Sequence, residues 1–142
     1  MNASNALKTK LLALGGANVF VQADRYLNLL LTHGRSFSPK GRKRIRGAMH
    51  RCDTNAALYY AKHHGLDYGG ICEVVTGYAL YEDGLWAGHS WLWDGKRVID
   101  TNTDPSLYFG VILPPFEAAK FVSSEVMSRL PGYRDVECHV AA

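Results

Sequence analysis

His89-Ser90-Trp91-Leu92-Trp93-Asp94-Gly95-Lys96-Arg97-Val98-Ile99-Asp100-Thr101 is the stretch on which the fold turns. Asp94-Gly95 is a strong two-residue hairpin signal, and the residues on either side are aromatic or β-branched. Strands are therefore expected from about Trp86 to Trp93 and from Lys96 to about Thr101. With Asp94 and Gly95 as the loop, Trp93 pairs with Lys96, Trp91 with Val98 and His89 with Asp100. Opposed residues of an antiparallel pair have Cβ atoms about 4.5 to 5.5 Å apart on one face. A centred four-residue loop keeps this pairing, whereas a three-residue loop shifts it by one and sends one partner to the other face.

Upstream of the hairpin, residues 71 to 81 are rich in Ile, Val, Thr and Tyr and read as another strand, turned by Glu82-Asp83-Gly84. Cys52 to His64 suits a helix closed by Gly65, and residues 34 to 50, rich in Gly, Ser, Pro and basic side chains, suit a loop. Apolar spacing predicts helices over Ala6 to Leu14 and Ala17 to Leu31, with Gly15-Gly16 as the break and His33-Gly34 as the stop. Downstream, Tyr108-Phe109-Gly110 leads into an apolar Val111-Ile112-Leu113 segment. Pro114-Pro115 then opens a last helix, Phe116 to Leu130, ended by Pro131-Gly132. Helices, a strand meander and a final helix give an α+β class. At 142 residues, 47% hydrophobic and 20% charged, the chain suits a single folded domain over 1–142.

The chemistry gathers on three residues. A carboxylate beside an imidazole fixes its tautomer and stabilises it when protonated, which makes His89 and Asp100 the orienting half of a triad. Cys52 opens a helix, where the dipole favours a thiolate. Arg51 adds to that effect and Asp53 opposes it. Cys52, His89 and Asp100 are thus the expected nucleophile, base and orienting group of a cysteine hydrolase or acyltransferase. The backbone N–H of Cys52, with His50, Arg51 or Asn55, would supply oxyanion donors. Trp91 shares the face of His89, as pocket wall or as core. A metal on Cys52, His89, Asp100 and His50 is chemically conceivable, but no closely spaced ligand pair supports one, and no metal or cofactor is expected.

His89-Ser90-Trp91-Leu92 and Arg97-Val98-Ile99-Asp100-Thr101 resemble the His-x-Trp and Asp-x-Thr strands of the transglutaminase-like branch of papain-like cysteine enzymes. Cys52 upstream matches the family order of Cys, His, Asp. Cys52 to Ala57, Gly77-Tyr78-Ala79 and Tyr108-Phe109-Gly110 further resemble small bacterial and phage proteins of unassigned function. The resemblance implies a papain-like core, with a helix-borne cysteine packed on an antiparallel sheet that carries His and Asp. It implies protease, deamidase or transglutaminase-type acyl transfer. The sequence departs from those families in having Asp53 where an aromatic usually follows the nucleophile, and in having no glutamine between Ala23 and Cys52.

The net charge is only +3, yet Lys40, Arg42, Lys43, Arg44 and Arg46 crowd into one stretch before Cys52. Such a stretch suits an acidic protein surface. It suits nucleic acid less well, because Phe37 is the one neighbouring aromatic. A protein or peptide substrate is the expected partner. The alternative is a non-catalytic module of the same fold docking through this stretch. Cys52, Cys72 and Cys138 are an odd, irregularly spaced set, which favours a reducing, cytoplasmic setting with free thiols. Export through a cleaved N-terminal signal is the alternative, since Lys8 and Lys10 precede an apolar run that ends near Val21-Gln22-Ala23.

Overall fold

The computed structural model describes residues 2–21, 26–47, 52–64, 72–101 and 103–127. Along them run α1 (Ala3–Leu14), β1 (Asn18–Val19), α2 (Leu27–His33), β2 (Arg35–Phe37), β3 (Lys43–Ile45) and α3 (Cys52–His64). The chain continues through β4 (Glu73–Leu80), β5 (Leu85–Trp93), β6 (Val98–Thr101), β7 (Leu107–Ile112) and α4 (Pro115–Met127). The α+β expectation holds: one seven-stranded sheet is accompanied by four helices among the described residues. None of the described helices is long and apolar enough to cross a membrane.

The sheet order is β2-β7-β4-β5-β6-β3, antiparallel up to β6, with β3 parallel to β6. Along one edge β5 pairs with β4 from Trp86 to Trp93. On the other it meets β1 at Leu85 and Trp86 and β6 at Leu92 and Trp93. β2 and β5 are separated in the order by β7 and β4, which would put them about 14 Å apart in a flat sheet. Instead the Phe37 ring of β2 lies 5.0 Å from the Trp93 ring of β5, centroid to centroid. The sheet is therefore curled, with a concave inner face and a convex outer one.

Strand alternation assigns the two faces. Trp86 and Leu92 of β5, Val74 and Tyr78 of β4, Ile99 of β6 and Phe109 and Val111 of β7 point outward. There they pack under Leu7 and Leu11 of α1, Leu30 of α2, Ala56 and Ala57 of α3 and Phe121 of α4. Inside the curl Val75 and Ala79, Ala87 and Trp91, Val98 and Tyr108 form a second cluster with Phe37 and Tyr81. Gly110 is required there, since a Cβ at that position would lie 2.7 Å from the Trp91 ring.

The hairpin forms, but its register differs from the sequence expectation. Trp93 pairs with Val98 and Leu92 with Ile99, so the loop is the four residues Asp94 to Arg97. The Asp94 carboxylate explains this: it accepts the N–H groups of Lys96 at 2.9 Å and Arg97 at 2.8 Å, and the Arg97 Nε at 3.0 Å. Gly95 takes φ +93 to complete the turn. Burial would raise the Asp94 carboxyl, but the N–H groups of Arg97 and Lys96 and the Arg97 guanidinium outweigh it and hold it below its ordinary value. The shift is two residues, which preserves parity: His89 and Asp100 share a face as diagonal neighbours and not as an opposed pair.

Two further expectations change. The helix expected over Ala17 to Leu31 is replaced by β1 and a shorter α2. β1 forms because Ala17 and Asn18 donate to the Gly84 carbonyl at 2.7 and 3.2 Å, and Phe20 to that of Trp86 at 2.9 Å. The loop expected over 34 to 50 contributes β2 and β3, and the apolar stretch after Leu107 is β7, flanked by β2 and β4. α3 keeps the expected bounds.

Candidate functional site

His89 and Asp100 meet inside the curl. His89 Nε2 is 2.9 Å from both carboxylate oxygens, and both residues are buried. Asp100 also accepts the Tyr108 hydroxyl at 2.7 Å and the Thr101 N–H at 2.8 Å. With these donors in place His89 donates from Nε2, leaving Nδ1 as the acceptor. Nδ1 faces the Tyr81 hydroxyl at 3.4 Å. The imidazole stacks at 23° to the Trp91 indole, 5.9 Å between centroids. Burial raises the Tyr108 hydroxyl far above its ordinary value; the Asp100 charge and hydrogen bond add to this and Arg42 works against it. Burial likewise raises Tyr81, with a Thr103 hydrogen bond opposing and the Asp100 charge adding.

Arg42 closes the network. Its Nη1 donates to the Pro105 carbonyl at 2.8 Å and to the Tyr108 hydroxyl at 3.0 Å, and its Nη2 to Asp104 at 3.0 Å. Arg42, expected in the partner-binding stretch, is thus committed within the molecule. Arg44 also pairs with Asp104. Tyr108, Tyr81 and Asp104 have no place in the sequence-based site. Recognising β7 as a strand would have put Tyr108 on the inner face.

Cys52 lies elsewhere. It is buried at the start of α3, and α3 packs on the outer face through Ala56 and Ala57. The space beside Cys52 is lined by Ser90, Leu92, Ile99 and Thr101 and also by Trp91 and Asp100; strand alternation turns the side chains of His89, Trp91, Val98 and Asp100 inward. The structure thus joins His89 to Asp100, while Cys52 opens the helix whose Ala56 and Ala57 pack on the outer face. Cys52 is moreover disulfide-bonded, contrary to the free thiol expected. Cys52 Sγ is 3.8 Å from Asp53 Oδ1. Burial raises the Asp53 carboxyl above its ordinary value, against a Ser90 hydrogen bond and the charge of His89. Ser90 in turn donates to Thr76 at 3.0 Å.

The remaining sequence candidates have structural work or lie out of view. Asn55 is buried and donates from Nδ2 to Thr101 Oγ1 at 3.3 Å, tying α3 to β6. Trp91 is core, 4.8 Å from the Tyr108 ring. His50, Arg51 and Cys138 lie outside the described residues. Cys72 is a free, buried thiol whose pKa is pushed up to about 11 by burial, then by Asp94 and Glu73, with Lys43 opposing. No cluster of three metal-ligating side chains occurs among the described residues.

Lys40, Lys43, Arg44 and Arg46 are exposed around β3, while Phe37 is buried in the inner cluster. The chain matches no protein-family model, no curated protein and no solved structure.

Proposed function

We propose that this chain is a non-catalytic binding module that docks an acidic protein segment through the basic residues on and beside β3. The observation that carries the reading is the charge of that edge. Lys40, Lys43 and Arg46 are exposed with no carboxylate in ion-pair reach among the described residues, and Arg44 shares Asp104 with Arg42. Such a patch steers an acidic partner and fixes its register. An acidic protein suits it better than single-stranded nucleic acid, since Phe37, the aromatic beside the stretch, is buried in the inner cluster. The buried His89, with both ring nitrogens engaged, suits a role in holding the sheet together.

Fluorescence anisotropy with a labelled glutamate-rich peptide tests the proposal. Binding should weaken as salt rises, and the double reversal Lys40→Glu with Lys43→Glu should lower affinity by about tenfold or more. A wild-type protein that ignores the peptide, or a reversal without effect, would overturn it.

A second reading is favoured by one specific observation, the 2.9 Å contact of His89 with Asp100, the orienting half of a cysteine-enzyme triad. In that reading the core is papain-like or transglutaminase-like and Cys52, once reduced, gives its proton to His89. The sulfur then attacks an amide carbonyl, and the amine leaves with that proton. Water or another amine resolves the acyl-enzyme. It requires α3 or β5 to rearrange so that sulfur and imidazole meet. Turnover of amide or isopeptide substrates by the reduced wild type, lost in Cys52→Ala, would favour it over docking.

A further inference from the structure

The docking reading rests on charge; the backbone of β3 suggests how the partner is held. β3 ends the strand order, and among the described residues its pairing is with β6 alone. An edge strand turns alternate N–H and C=O groups away from its one neighbour, where they are free to take up a further strand. We infer that the acidic partner binds as an extended strand added to the open edge of β3, extending the sheet by one. This inference rests on the docking reading above.

Charge selects the occupant. Lys and Arg on an edge commonly guard it against pairing with another copy of the same chain. Here a centred antiparallel pairing of two β3 strands would set Arg44 opposite Arg44, and like charges directly opposed are destabilising. An acidic strand meets the same edge with opposite charge. The register of β3 on β6 places Lys43 beside Ile99 and Arg44 beside Asp100, so these two side chains fall on opposite faces of the sheet. Ile45 falls on the same face as Lys43 and packs against the outer core, which anchors the strand from behind. An added strand with acidic side chains on both faces is therefore complementary, with Lys43 serving one side and Arg44 the other. Because Arg44 already holds Asp104, the partner's carboxylate would share that guanidinium or displace Asp104 from it. The short β3 limits the pairing to a few residues, so the strand alone gives a weak, exchangeable contact that charge reinforces.

The test uses the whole chain and two peptides of alternating Glu and Thr with the same net charge, one carrying N-methyl groups on alternate backbone nitrogens. Strand addition predicts about tenfold weaker binding of the N-methylated peptide, and slowed amide exchange within Lys43–Ile45 on adding the unmodified one. Equal binding of both peptides, with unchanged exchange in β3, overturns strand addition and leaves docking by charge standing. Failure of both peptides to bind overturns the docking reading and the inference with it. Preferential binding of a DNA duplex over either peptide also overturns the inference, by assigning the basic edge to phosphates. Lys43→Glu, an exposed change, should weaken the unmodified peptide while leaving the thermal unfolding of the free protein unchanged.

Discussion

The two faces of the curled sheet solve the same packing problem differently. The outer face is covered by four helices and held chiefly by apolar contact, from Leu7 and Leu11 to Phe121. Its polar contacts include Asn55 to Thr101, Ser90 to Thr76 and to Asp53, and Thr54 of α3 to Glu125 of α4 at 2.8 Å. Among the described residues no helix contributes to the inner cluster. It closes on a continuous polar chain, Tyr81 to His89 to Asp100 to Tyr108 to Arg42 to Asp104, set among Trp91, Val75 and Val98. A buried carboxylate with several donors rigidifies what surrounds it and becomes costly if one donor is lost. The comparison places the His–Asp pair, which resembles catalytic machinery in sequence, at the centre of the inner face's polar chain.

If that is right, breaking the inner chain should cost more than breaking an outer tie. Asp100→Ala strips His89, Tyr108 and the Thr101 N–H of their shared acceptor and should lower the unfolding free energy by about 3–5 kcal/mol in urea titrations. Gly110→Ala drives a methyl into the Trp91 ring on the same face. It should cost about 1–3 kcal/mol by the same measurement. On the outer face Thr101→Val removes only the acceptor of Asn55, and about 1 kcal/mol is expected. A loss from Thr101→Val equal to that from Asp100→Ala would erase the contrast between the faces.

The smallest effect is a change of pH dependence. Asp53 has its carboxyl raised in the folded protein above its ordinary value, chiefly by burial. The folded chain then keeps a proton that the unfolded chain has released, so this group's contribution favours folding at low pH. That contribution is lost as pH rises from the unfolded value through the raised folded one. Asp53→Asn should remove this fall, gaining stability relative to wild type at pH 7 more than at pH 3. Urea midpoints at the two pH values give the comparison, and a wild-type slope retained in the variant would contradict it.

Much of this architecture is legible from residues alone. α3 announces itself through the run from Asn55 to Ala61, and the β5–β6 hairpin through Asp94-Gly95. The loop length is not legible, because it depends on the Asp94 carboxylate reaching the Arg97 N–H, a contact that competes with the two-residue turn the pair ordinarily makes. β1 hides in an apolar run of helical spacing, since two residues paired to Leu85 and Trp86 carry no periodicity of their own. The split of the site was hidden for a different reason. β5 is buried on both faces over much of its length, so it lacks the polar alternation that would say which face a packing helix covers. The hairpin places His89 and Asp100 together on either assignment, whereas the position of Cys52 depends on which face α3 takes.

The separation of Cys52 from His89 is the claim on which the non-catalytic part of the reading stands, and the reactivity of Cys52 tests it most directly. After gentle reduction, the rate of Cys52 alkylation is measured from pH 5 to pH 10 in the wild type and in His89→Ala, with Cys72 resolved by peptide mapping. The account predicts superimposable profiles for Cys52 in the two proteins, with the rate rising as an unassisted thiol ionises. A wild-type thiolate that persists into acid and disappears in His89→Ala would contradict it, and would join Cys52 to the His89–Asp100 pair as one catalytic site.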